Sequence, residues 1–202
     1  MKTIRGPFVY LLACTILLAA GLPMEAAGQA LDGEIYPMEN LPATDSELKV
    51  EVGDKAPGFR LPAVSGETIG LKRYLGNQNV VLSFVPAAWT PVCSDQWPGY
   101  NITKNLFAEH NAVLLGITVD NIPTLYAWTR GMGELWFPVL SDFWPHGAAA
   151  ESYGVLRSDG MAERALFFID TRGVIRDIRV SDINTRPALE EVAESLKKLD
   201  PE

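Results

Sequence analysis

Cys93 closes the segment Pro86-Ala87-Ala88-Trp89-Thr90-Pro91-Val92-Cys93, directly after the apolar run Val80–Val85. The run reads as a buried strand, and the residues after the cysteine read as a helix. A sulfur at that junction faces backbone N–H groups that have no intrahelical partner. They favour the thiolate, which is the nucleophilic form. Thr90, three residues earlier, would aim a hydroxyl that both donates and accepts at the same spot. Pro86 would cover the sulfur from the strand side, with no N–H of its own to satisfy. A thiolate in such a place also needs a fixed cation. Arg164 directly precedes the apolar run Ala165–Ile169, so its charge would face the end of the sheet, and a guanidinium stays charged. Spacing alone does not choose Arg164 over Arg157 or Arg172.

The elements that would position these groups follow from pattern. The folded domain is expected to begin near Lys49. Phe59–Leu61 and Thr68–Leu71 flank Ser65-Gly66-Glu67 and suggest a hairpin. Leu71–Leu75 is one helical turn, and Val80–Val85 is a central strand. Cys93–His110 reads as a helix bent near Pro98-Gly99. Ala112–Val119 is too apolar to be half exposed and reads as a second buried strand. A helix over Pro123–Gly131, a short strand at Phe137–Leu140 and an alanine-rich helix over His146–Tyr153 follow. Ala165–Ile169 and Val174–Val180 flank Asp170-Thr171-Arg172-Gly173 as a second hairpin. Pro187–Leu199 places Leu189, Val192, Ala193, Leu196 and Leu199 on one helix face. This order predicts an α/β, thioredoxin-like fold with a mixed central sheet flanked by helices.

Composition removes several function classes. The 202-residue chain carries a net charge of −8 and shows no basic stripe that would track nucleic acid or an anionic membrane. Residues 1–30 read as an export signal: Lys2 and Arg5, an apolar run over Phe8–Leu22, then Gly28-Gln29-Ala30 as a small-residue cleavage site. That run is shorter than the ~20 residues of a spanning helix. The expected location is therefore periplasmic or extracellular. Leu11-Leu12-Ala13-Cys14 offers a competing reading as a lipoprotein box with Cys14 lipidated. Residues 31–48 are acidic, contain Pro37 and Pro42, and read as a flexible solvated linker; 49–202 form the domain. After cleavage Cys93 would be the sole cysteine, so no disulfide staple is expected. His110 and His146 lie too far from each other and from Cys93 in sequence to suggest a metal site.

Several segments together resemble the peroxiredoxins, the AhpC/TSA family of thiol peroxidases, over about residues 50–200. Val52-Gly53-Asp54-Lys55-Ala56-Pro57-Gly58-Phe59 looks like the family's opening motif. Pro86, Thr90 and Cys93 match its active-site loop, and Arg164 stands where its active-site arginine precedes a Phe-Phe-Ile-Asp strand. Phe137–Gly147, with Ser-Asp-Phe-Trp-Pro-His-Gly, looks especially like the one-cysteine alkyl hydroperoxide reductase E type. The resemblance selects Arg164 as the cation and implies no cofactor. It implies a peroxide substrate, reduced through a Cys93 sulfenic acid that an external thiol recycles. That thiol would be a thioredoxin- or glutaredoxin-like protein or a low-molecular-weight thiol. It also implies a homodimer; the abundant aromatics Trp89, Trp97, Trp136, Phe143, Trp144 and Tyr153 read equally as ordinary core or as a dimer surface near the active-site loops. One position departs from the pattern: Gln96 replaces the glutamate common in that subgroup. This keeps hydrogen bonding and removes a negative charge, a change expected to tune the site. A thioredoxin-like dithiol oxidoreductase is the competing enzyme class. Its Cys-x-x-Cys pair would need a cysteine at 96. A non-enzymatic redox sensor is the third.

Overall fold

A computed structural model of the protein describes residues 34–199. The export-signal reading and Cys14 lie outside the described residues. A small antiparallel hairpin, β1 (Arg60–Pro62) with β2 (Thr68–Gly70), is followed by a 3-10 turn at Leu71–Arg73. The main sheet has five strands: β3 (Asn79–Phe84), β4 (Ala112–Thr118), β5 (Val139–Ser141), β6 (Arg164–Ile169) and β7 (Ile175–Ser181). Their spatial order is β5-β4-β3-β6-β7. β3, β4 and β5 run parallel, while β6 and β7 pair antiparallel to their neighbours, giving the mixed sheet expected.

Every residue of β3 and β6 is buried, because both faces of the sheet are covered. The pleat sends alternate side chains to two separate cores. Val81, Leu114, Leu166 and Phe168 meet Cys93, Trp97, Tyr100, Leu125, Trp128, Val192 and Leu196 on one side. These come from α1 (Pro91–Ile102), α3 (Ile122–Met132) and α5 (Leu189–Lys197). Val80, Leu82, Phe84, Phe167 and Ile169 meet Leu61, Ile69, Leu71 and Tyr153 on the other, beneath the hairpin and α4 (Ala148–Tyr153). Full burial of side chains such as Val192 and Leu196 contributes about 1.5–3 kcal/mol each. The amphipathic stripe of α5 is therefore sufficient reason for its docking.

The long helix expected over Cys93–His110 is instead two helices. α1 ends at Ile102, and α2 (Lys104–Glu109) restarts after Thr103. The Thr103 hydroxyl donates to the carbonyls of Gly99 and Tyr100, competing with the helical ladder at the break. Trp97 packs tightly on Gly116 of β4, where any Cβ would come within 2.8 Å of the indole. This close approach seats α1 on the sheet. No helix among the described residues is long and apolar enough to cross a membrane.

Residues 34–48, expected as a solvated linker, hold no helix or strand and are largely exposed. Their backbone is nevertheless pinned to the domain. Tyr36 N–H donates to Trp89 O at 2.7 Å, Ile183 N–H to Ala43 O at 3.1 Å, and Asp45 N–H to Glu163 Oε1 at 2.6 Å. At the far end the chain crosses Gly154, the left-handed C-cap of α4 (φ 74°). A Cβ there would lie 2.2 Å from Glu47 O, so only glycine fits both the turn and the crossing.

Candidate active site

β3 delivers the chain to the C-terminal edge of the sheet, and the loop from Pro86 to Thr90 turns it into α1. Ala88 N–H donates to Asp120 Oδ2 at 2.8 Å. Trp89 adopts a left-handed conformation (φ 61°), uncommon for a side chain of its size. Thr90 is the extended N-cap, Pro91 begins the helix, and the first helical bond runs from Ser94 N–H to Thr90 O at 2.9 Å. Cys93 thus lies in the first turn of α1, as its spacing predicts. Trp128 Nε1 donates to Ser94 Oγ at 3.0 Å and fixes this turn against α3.

Cys93 is wholly buried and reduced. Arg164 is the first residue of β6 rather than the residue before it. It is 1% exposed, and its Nη2 donates to Cys93 Sγ at 3.5 Å. The rest of the guanidinium is held by two residues. Nε and Nη2 donate to Ile183 O at 3.1 and 2.8 Å. Nη1 donates to Gln96 Oε1 at 2.5 Å. None of these partners is an acid. Gln96 is fixed in turn, its Nε2 donating to Tyr100 OH at 3.2 Å and Ser83 Oγ at 3.4 Å. Trp97 Nε1 shares the Ser83 hydroxyl at 3.2 Å. Burial pushes the Tyr100 phenol well above its ordinary range, so it stays protonated as a neutral acceptor.

Of the residues read from sequence, Cys93, Thr90 and Arg164 converge, and Pro86 is buried in the loop between β3 and α1. The Thr90 hydroxyl donates to Ala87 O at 2.9 Å. Its donor capacity is therefore used within the loop, and its lone pairs remain to accept from an incoming O–H. Arg157 and Arg172 stand elsewhere: Arg157 pairs with Glu163 and Asp159, Arg172 with Asp170. Sequence reasoning missed Ile183, which acts through its carbonyl and so leaves no trace in residue type. It noted Gln96 only as a departure; its position one helical turn after Cys93 was the signal that the two share a face. Among the described residues no three His, Cys, Asp or Glu side chains gather as a metal-binding group.

Above Thr90 and Arg164 lies a pocket of about 180 Å³, lined also by Pro91, Val92, Ile183, Asn184 and the N-terminal residues Met38, Glu39 and Asn40. Fixed donors beside a buried thiol suit the attack of sulfur on a peroxide bond, where negative charge develops on the departing oxygen.

Residues 52–178 match the model of the AhpC/TSA family. The chain is 37% identical over 128 residues to alkyl hydroperoxide reductase E of Mycobacterium tuberculosis, covering 63% of this chain and 83% of that one. It is 36% identical over 159 residues to peroxiredoxin TSA1-B of Candida albicans, covering 74% and 78%. Among solved structures it resembles the reduced 2-Cys peroxiredoxin of Plasmodium vivax. There the TM-score is 0.67 at 28% identity, with 72% and 80% of the two chains covered. The family match over most of the domain and the relatives at 37% and 36% identity settle the kinship: the chain belongs to the AhpC/TSA family and is a peroxiredoxin, a thiol-dependent peroxidase.

Proposed function

We propose that this peroxiredoxin works by a one-cysteine cycle in which Cys93 is the sole redox residue. The observation that carries it is that Cys93, the one cysteine among the described residues, lies 3.5 Å from the Nη2 of Arg164, an arginine with no acidic partner among those residues. A buried guanidinium without a counter-charge is costly, and a Cys93 thiolate supplies that charge. The thiolate attacks one oxygen of the peroxide. An S–O bond forms, the O–O bond breaks, and the departing oxygen leaves with the electron pair to take up a proton as water or alcohol. Sulfur is oxidised by two electrons and the peroxide reduced by two, leaving Cys93 sulfenic acid. An external thiol condenses with the sulfenic acid, releasing water and forming a mixed disulfide. A second thiol then frees Cys93 and departs as the oxidised disulfide. Thr90 Oγ1 accepts from the peroxide O–H, and Arg164 stabilises the charge on the departing oxygen.

Cys93 is the one cysteine among the described residues, which supports recycling by an outside thiol. The reductant is a small thiol or a thioredoxin- or glutaredoxin-like protein. Phe143 and Trp144 are 48% and 82% exposed on one loop and fit a homodimer surface. Export, read from residues 1–30, belongs to the same proposal; the N-terminal mass of the protein recovered from its host tests it. The cycle itself is tested by peroxide consumption with an external thiol, comparing wild type, Cys14→Ser and Cys93→Ser. Full turnover in Cys14→Ser and none in Cys93→Ser is expected. Loss of turnover in Cys14→Ser, with a Cys14–Cys93 disulfide detected by mass in the wild type, would refute the one-cysteine cycle.

A further inference from the structure

The pocket above Arg164 owes three of its nine lining residues, Met38, Glu39 and Asn40, to the segment ahead of the domain. That segment is not merely near the site; it is fastened to the residues that build it. On one side Tyr36 N–H is bound by the carbonyl of Trp89, the neighbour of Thr90. On the other, the Asn184 side chain clamps Leu41 from both directions: Oδ1 accepts from Leu41 N–H at 3.1 Å, and Nδ2 donates to Leu41 O at 2.8 Å. Next to it, Ile183 N–H donates to Ala43 O, while the carbonyl of the same Ile183 holds the Arg164 guanidinium. Farther along, Arg157 Nη1 donates to Pro42 O at 3.3 Å. Asp45 Oδ2 accepts from Ser158 N–H at 2.9 Å and Oγ at 2.6 Å. The span between Tyr36 and Leu41, which carries the three lining residues, is therefore tied down at both ends.

We propose that residues 36–45 are a strap that forms the outer wall of the peroxide pocket and selects its substrate by size. The inference rests on the peroxidase reading above and adds what that reading leaves open, the class of peroxide. The pocket is small, about 180 Å³, and partly open to solvent. Hydrogen peroxide or a short alkyl hydroperoxide fits beneath the strap. A long-chain acyl hydroperoxide fits only if Met38–Asn40 move aside.

The test uses the full-length protein and follows Cys93 oxidation with hydrogen peroxide and with a linoleic-acid hydroperoxide. Three proteins are compared: wild type, Asn184→Ala, which removes the two-way clamp on Leu41, and Asp45→Ala, which frees the distal anchor without touching the pocket. The readout is the ratio of the two rate constants. In wild type the small peroxide is expected to be faster, and in Asn184→Ala the ratio should shift toward the bulky one by at least about tenfold, the scale of steric discrimination in a pocket. Asp45→Ala should shift it in the same direction by less, and it keeps the test available if Asn184→Ala fails to fold. Ratios that agree among the three proteins overturn the strap as a size filter. A wild-type Cys93 inert to both peroxides would refute the peroxidase reading instead, so the two failures are distinguishable.

Discussion

Two arginines of this protein are buried to nearly the same depth, Arg157 at 3% and Arg164 at 1% exposed, yet their surroundings are opposite. Arg157 is neutralised: Glu163 Oε2 lies 2.9 Å from Nη1 and Asp159 Oδ2 lies 3.1 Å from Nε. It also bridges to Pro42 O, so its role is to join the N-terminal segment to the domain. Arg164 has a backbone carbonyl, an amide oxygen and a thiol. Its position is as firmly set as that of Arg157, but its charge is left open toward Cys93. The difference shows how one side-chain type serves structure when carboxylates complete it and chemistry when neutral groups hold it. Neutral acceptors orient a guanidinium without cancelling its field, which in a dry site acts on the nearest polarisable atom with little screening.

The comparison breaks most visibly at the structural arginine. Among the described residues, Glu163→Gln leaves Arg157 with Asp159 as its one ion-paired carboxylate. It should lower unfolding stability by about 3 kcal/mol, the scale for breaking a buried pair. Urea denaturation reads this, and the peroxide rate of the folded fraction should move little. Arg164→Ala should do the reverse, slowing Cys93 oxidation by about 10²–10³-fold, the usual loss on deleting a preorganised charge-stabilising donor. Stopped-flow kinetics with a sulfenic-acid probe measures it. Gln96→Glu sharpens the contrast by giving Arg164 what Arg157 already has. A carboxylate on Nη1 should slow thiolate attack by about tenfold, equivalent to ~1.4 kcal/mol. An increase in rate would show that Gln96 weakens the site instead.

The smallest effect concerns pH. Burial raises the carboxyl pKa of Asp170, but hydrogen bonds from Val174 N–H and Arg176, the Arg176 charge and the N–H of Arg172 outweigh it. The net shift is downward. A depressed carboxyl contributes stability that is present above its unfolded value near ~3.9 and lost as pH falls through the folded value. Asp170→Asn should therefore cost about 1–2 kcal/mol at pH 7 and progressively less below pH ~4, as urea midpoints at pH 7 and pH 3 would show. An equal cost at both pH values would assign the residue's role to shape rather than charge.

The legible part of this molecule is local or periodic. Val80–Val85, Ala112–Val119 and Ala165–Ile169 announce buried strands because they are apolar throughout, and α5 announces itself by its stripe. Cys93, Thr90 and Pro86 lie on one short segment, so their convergence follows from a single strand-to-helix turn. Arg164 lies 71 residues from Cys93, and spacing could not choose it from three arginines; resemblance did. What escaped sequence reading depends on backbone groups meeting across long separations. Ile183 acts through its carbonyl, and Leu41 meets Asn184 across 143 residues. Residues 34–48 are polar and aperiodic, as a linker would be. Their docking comes largely from hydrogen bonds to main-chain atoms, and composition carries no record of those. The break at Thr103 was hidden for a related reason: a threonine hydroxyl ended a helix whose residues otherwise continue it.

The account stands most directly on the dependence of Cys93 chemistry on the open charge of Arg164. The deciding measurement is intact mass of the full-length protein, trapped at intervals after one equivalent of hydrogen peroxide with a sulfenic-acid probe. Wild type, Arg164→Ala, Arg164→Lys and Cys93→Ser would be run side by side. The account predicts rapid single labelling at Cys93 in wild type and none at that site in Cys93→Ser. Labelling should be intermediate in Arg164→Lys, which keeps charge but not the fork, and slowest in Arg164→Ala. Equal labelling rates in wild type and Arg164→Ala, both matching a free thiol, would contradict it.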